Sequence, residues 1–246
     1  MYREYETPKI CVDIFYYDET YSQQTAEDVV QCLERFSLFP PERVILDKNR
    51  GRFKRYQPIM RETLVEAYSK KDILALSWES TDSRKKSKEH LFTLWNLTFY
   101  KKSRIIGNPA MKPWNVLSFY ATYDWMNHGE NRTMLFRCVK QLIQILHPFQ
   151  VEIDDVSNAV SIGRSAKPES LLKPRHTHTP QVYWGNYWGP DLCNRYDMKN
   201  FSKIPVSEME EIAGGVYFTL SDDVFQFDTP ACRKIRKDIQ LLVLKD

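Results

Sequence analysis

The segment from Ile10 to Tyr17 limits the fold more than any other. Ile10, Val12, Ile14 and Tyr16 alternate with Cys11, Asp13, Phe15 and Tyr17, so a strand here carries apolar side chains on both faces. Such a strand belongs in the middle of a sheet, because both faces need cover. The polar residues Asp18 to Ser22 then make a turn, and the period changes. Ala26, Val29, Val30, Leu33 and Phe36 recur at three-and-four spacing and predict a helix over Thr25 to Phe36. Ser22 or Thr25 supplies its cap, Glu27 and Asp28 suit its positive end, and Pro40 and Pro41 stop it.

The same alternation of periods continues. A short strand is expected at Val44 to Leu46 and a helix from Pro58 to about Lys70. Strands follow at Ile73 to Trp78 and Leu91 to Tyr100, with the polar run ESTDSRKKSKEH as a hairpin loop between them. Gly107, Asn108, Pro109 and Pro113 mark a connector. The order then restarts with a strand at Val116 to Asp124, an amphipathic helix at Arg132 to Leu146 ended by Pro148, and a weak strand at Val151 to Ile153. Pro168, Pro174 and Pro180 predict irregular chain over Ser157 to Pro180. Ser207 and Glu210 have capping-box spacing, which predicts a short helix to Ala213, broken by Gly214 and Gly215. Val216 to Leu220 and Val224 to Phe227 read as a hairpin around Ser221, Asp222 and Asp223. The tail from Ala231 to Leu244 reads as either helix or strand. The fold class expected is α+β, a mostly antiparallel sheet with helices packed on one face. Residues 1–246 are expected to form one domain. The restart leaves open a build from two pseudo-repeated halves, about 1–105 and 114–246.

Composition excludes several classes. The 246 residues suffice to bury a core without disulfides or metal. Net charge is +3, from 35 Lys and Arg against 32 Asp and Glu, too small to argue for nucleic acid by itself. No apolar run is long enough for a membrane span, and MYREYETPK lacks the apolar centre of a secretion signal. Cysteines at 11, 32, 138, 193 and 232 form no CxxC pair, which predicts reduced thiols in a cytoplasm.

No catalytic motif stands out. Neither GxGxxG nor GxxxxGK occurs, so no phosphate loop and no cofactor are expected. His176 and His178 have ligand-pair spacing for an extended segment. Without a third ligand at a recognisable spacing, they read as loop histidines and no metal is expected. Cys11 and Cys138 sit in apolar segments and read as buried thiols. Glu208, Glu210 and Glu211 read as solvated helix carboxylates rather than an acid–base pair. The basic run KNRGRFKRY, Lys48 to Tyr56, interleaves cations with Phe53 and Tyr56, and Arg84 to Lys88 is a second cluster. Such runs track phosphate backbones and stack bases, which makes nucleic-acid binding the alternative function. Balanced overall charge favours a solvated loop or an acidic protein partner.

The stretch Val182 to Pro190, VYWGNYWGP, is the most distinctive motif. Two readings stay open. On an exposed turn, the rings form a stiff contact surface at little entropic cost, with Gly185 and Gly189 allowing the sharp bend. At a strand end, they plug a core, which is where large aromatics mostly go. This stretch, YWGNYWGPDL, running on to IAGGVYFTLSDD, resembles the immunity protein 52 family of bacterial polymorphic toxin systems. Trp184-Gly185 and Trp188-Gly189 match its Trp-Gly motif and Gly214-Gly215 its strand start. The resemblance implies a cytoplasmic α+β protein that is not an enzyme. Its partner would be a cognate toxin effector, typically a nuclease delivered by a secretion system, which it neutralises by binding. The partner surface expected comprises Trp184, Asn186, Tyr187, Trp188 and Asp191, with Arg52 and Arg55 from the basic run.

Overall fold

The computed structural model describes residues 9–17, 22–36, 43–47, 65, 75–80, 92–99, 114–161 and 181–241. Strand β1, Lys9–Tyr17, is buried at every position from Ile10 to Tyr16, as its two apolar faces require. Helix α1, Gln23–Arg35, starts at Ser22, whose side chain accepts the Thr25 N–H at 3.1 Å. It buries Ala26, Val29, Val30 and Leu33 of the expected stripe, and Cys32 besides, while Phe36 falls at its C-cap and is half-buried. Burying side chains the size of Val and Leu contributes roughly 1.5–3 kcal/mol each, far more than the cap. Val65 is helical and buried, and the rest of the helix expected over Pro58 to Lys70 lies outside the described residues.

The chain forms two compact units, Asp13–His147 and Met1–Val12 with Pro148–Asp246. In the first, β2 (Arg43–Asp47), β3 (Ala75–Ser80), β4 (Phe92–Phe99) and β5 (Trp114–Thr122) pair in chain order, each antiparallel to the next. Strand β5 ends two residues before the alternation predicted. Thr122 accepts the Trp125 N–H at 3.4 Å and caps a short helix, α2, Tyr123–Asn127. Helix α3, Gly129–Leu146, buries Leu135, Cys138, Val139, Leu142, Ile143 and Leu146 and packs on α1. It closes on His147, which takes a left-handed conformation (φ 43°) and donates its N–H to Ile143 O at 3.0 Å.

In the second unit, β6 (Gln150–Asp155), β7 (Gly185–Trp188), β9 (Gly215–Thr219) and β8 (Glu208–Ile212) lie in that order, all antiparallel. Both units are therefore antiparallel sheet with helices, and the α+β class holds. Several local expectations do not. Helix α4, Val156–Ser161, replaces the start of the expected irregular chain, because Asp155 Oδ1 accepts the N–H groups of Ser157 and Asn158 at 2.8 and 3.1 Å and caps it. Residues 208–212 are strand, not helix. Ser207 spends its hydroxyl on Asp222 and its N–H on Thr219 O, so it caps nothing. A two-residue turn, Ala213 and Gly214 with φ of 50° and 77°, folds β8 back on β9. Val224–Gln226 is one turn of 3-10 helix rather than strand, because Asp223 Oδ1 accepts the Phe225 N–H at 3.1 Å. Helices α5 (Pro190–Cys193) and α6 (Met198–Phe201) are single turns. The tail is helical, α7, Pro230–Leu241, and buries Cys232, Ile235, Arg236 and Ile239.

Candidate protein-binding surface

The aromatic stretch forms a strand. β7 is hydrogen-bonded on both sides, with Tyr187 opposite Val151 of β6 and Tyr217 of β9. Trp184, Asn186, Tyr187 and Trp188 are at most 2 % exposed, so these four expected contact residues fill the interior and present no area at the surface. Their polar atoms are satisfied inside. Asn186 Oδ1 accepts the Tyr183 N–H at 3.0 Å, and its Nδ2 donates to Tyr183 O at 2.9 Å, so the side chain fixes the bend that leads into the strand. Trp184 Nε1 donates to Ser221 Oγ at 2.8 Å, and Tyr187 Oη donates to Ile212 O at 3.1 Å. Burial pushes the Tyr187 hydroxyl up to about 12. The Trp188 ring stands 4.9 Å from Tyr196, 5.3 Å from Phe201 and 5.1 Å from Phe218, an aromatic cluster that closes this end of the unit.

Gly189 makes no sharp turn, since its φ of −66° suits any residue. What it permits is close approach: a Cβ there would lie 2.7 Å from Pro148 O and 2.9 Å from Phe149 Cα. Gly215 is tighter still, with Trp188 O at 2.3 Å from the same added atom.

Beneath β7 lies a buried ion pair that no local motif announces. The Asp154 side chain is fully buried, and Arg236 Nη2 approaches its Oδ2 at 3.5 Å. The same carboxylate accepts Asn158 Nδ2 at 2.8 Å, the Trp184 N–H at 3.1 Å and the Asp155 N–H at 2.8 Å. Arg236 Nε donates to Val182 O at 3.0 Å, so the pair ties α7 and α4 to the chain entering β7. Burial raises the Asp154 carboxyl to about 6, against the lowering effect of Asn158, Arg236 and the two backbone donors.

The outer edge of this unit has the opposite character. Among the described residues, β8 is the edge strand, and Glu208, Met209, Glu210 and Glu211 are all exposed, so both of its faces meet solvent there. Met209 is 40 % exposed. Pro190 packs near the β8–β9 turn, with its Cγ 3.4 Å from where a Gly214 Cβ would sit, and Asp191 beside it is exposed. Asp222 is exposed and bonded to Ser207. The glutamates are felt inside: burial first, then Glu208 and Glu210, raise Tyr217, and burial with Glu211 lifts the Cys193 thiol to about 11. Among the described residues, Asp191 is thus the one expected contact residue that the fold leaves exposed, and Glu208, Glu210 and Glu211, expected on a helix, are exposed on an edge strand instead.

Arg52, Arg55, the two basic runs and His176 and His178 lie outside the described residues. In the other unit, Phe36, Glu130, Thr133, Met134 and Arg137 line an open depression of about 390 Å³. Among the described residues, no three His, Cys, Asp or Glu side chains are grouped as a metal site, and no helix is long and apolar enough to cross a membrane.

No protein-family model matches the chain, and no curated protein does. Among solved structures, it is similar to the Pseudomonas aeruginosa T6SS protein PA0821, at 13 % identity and a TM-score of 0.62. The match covers 95 % of this chain and 73 % of that one, so the likeness is one of fold across nearly the whole length.

Proposed function

We propose that this chain is an immunity protein of the immunity protein 52 type: it binds a cognate toxin effector and holds it inactive. In this reading it is cytoplasmic, needs no cofactor, and turns nothing over. The observation that carries the reading is the fold shared over 95 % of the chain with a protein of a T6SS. The Trp-Gly strand supports it as the segment that resembles the family, now in a structural role.

The contact surface in this reading is the β8 edge with Asp191. An edge strand is a place where a partner's strand can add to a sheet. Glu208, Glu210 and Glu211 disfavour pairing of β8 with another copy of itself, since like charges face each other across such a pair. The same charges favour a cationic partner. A nuclease toxin has a cationic surface where it holds phosphates, so an acidic edge speeds capture and competes with nucleic acid. Met209 supplies apolar contact among the charges.

The test is binding and inhibition with the toxin encoded beside this chain's gene. One-to-one binding that abolishes toxin activity is expected. Reversing Glu208→Lys, Glu210→Lys and Glu211→Lys together should slow association at low salt by about tenfold or more, with melting temperature unchanged. Turnover of a substrate by the purified chain alone, or full toxin activity in its presence, would refute the proposal. Inhibition untouched by the triple reversal would move the contact surface away from β8.

A further inference from the structure

All five cysteines are free thiols, and two of them meet. Cys32 on α1 and Cys138 on α3 are 106 residues apart in sequence, yet their sulfurs are 3.9 Å apart. Cys32 Sγ also lies 4.0 Å from Cys138 O, so it rests directly against the α3 backbone. Both side chains are buried, at 2 % and 0 % exposure, in the seam between α1 and α3. Two sulfurs in van der Waals contact must close by about 2 Å to reach bonding distance. Rotation about both χ1 bonds, together with an approach of the two helices, has to supply that.

We propose that Cys32 and Cys138 are a reversible oxidation site, at which a disulfide oxidant of the glutathione class cross-links α1 to α3. The step balances as two exchanges. The Cys32 thiolate attacks one sulfur of the oxidant, breaks its S–S bond and releases one glutathione thiolate. The Cys138 thiolate then attacks Cys32 Sγ and expels the second. One protein disulfide forms, one oxidant disulfide is lost, and the two thiol protons pass to the departing glutathiones. Cys32 is the better first nucleophile: its hydrogen bond with Cys138 draws it below its ordinary value, helped by Arg35, while the same bond together with burial raises Cys138. Cys32 also sits in the last turn of α1, where helices open most readily. Because both thiols are covered, oxidation of the folded chain follows opening of that turn and is slow.

The experiment uses the full chain in two arms. In one, the folded chain is incubated with glutathione disulfide. In the other, it is refolded from urea in a mixed glutathione buffer, where access sets no limit. Intact mass and peptide mapping under non-reducing conditions read the product. The expected result is a loss of two hydrogens with a single cross-linked peptide pair, Cys32 to Cys138, while Cys11, Cys193 and Cys232 stay free. Closing so long a loop should raise the melting temperature by about 5 °C or more, and reductant should remove the gain. Cys32→Ala should lose both the cross-link and the shift. Refolded chain with native circular dichroism and five free thiols would overturn the proposal. So would a cross-link that forms only with loss of native structure, or one that joins other cysteines. Peptide mapping of the unsubstituted chain decides the matter even where Cys32→Ala folds poorly.

Discussion

Replacing Trp188 with alanine separates the two roles an aromatic strand can play. The indole is 2 % exposed and touches three other rings, with centroid distances of 4.9, 5.3 and 5.1 Å to Tyr196, Phe201 and Phe218. Truncating a buried Trp or Phe to Ala costs about 3–5 kcal/mol, through lost transfer energy and the cavity left behind. Three ring pairs, one of them edge-to-face at 85°, put Trp188 near the top of that range. A domain's whole stability is about 5–15 kcal/mol, so the variant keeps a reduced margin and melts roughly 10–20 °C lower. Urea unfolding followed by far-ultraviolet circular dichroism measures the loss without using the tryptophan as probe. Trp188→Phe, which keeps a ring in the cluster, should lose less. A loss below about 1 kcal/mol, combined with at least tenfold weaker toxin binding, would refute the core assignment and restore Trp188 as a contact residue.

Three further outcomes follow from the same unit. Gly215→Ala places a methyl 2.3 Å from Trp188 O and should cost about 3 kcal/mol or more, read as a lowered melting temperature. Ala213 holds φ 50° ahead of Gly214, so Ala213→Asn should stabilise the β8–β9 turn by up to about 1 kcal/mol in the same assay. The Asp154 carboxyl, raised from 3.8 to about 6 in the folded chain, binds its proton more tightly there than when unfolded. Its contribution is therefore unchanged below about pH 4, is lost as pH rises from there through 6, and leaves a penalty of about 3 kcal/mol above that. Comparing urea midpoints from pH 4 to 7, the downward trend in the native chain should be shallower by that amount in Asp154→Asn; parallel curves would remove the assignment.

Strong periodicity made much of the architecture readable. β1, α1, β5 and α3 each repeat apolar residues over nine or more positions, and most of each described stripe is buried, with Phe36, Tyr120 and Phe136 half-buried. Short elements failed, because one polar side chain decides them. Ser207 has the spacing of a cap, yet its hydroxyl goes to Asp222, which is brought beside it by the β8–β9 hairpin. Asp155 caps α4 from the end of a strand, where nothing in the local pattern marks it apart from other acidic residues.

Chain chemistry alone determined the α+β class, the burial of β1 on both faces and the special nature of VYWGNYWGP, because alternation and ring content are local properties. Where those rings lie was decided by tertiary structure: β6 and β9 pair both edges of β7, and Tyr196, Phe201 and Phe218 gather round the Trp188 ring, so the whole strand is buried. The Asp154–Arg236 pair joins positions 82 residues apart, and the Cys32–Cys138 contact joins positions 106 apart. No sequence window contains both members of either pair, so only the folded chain could bring them together.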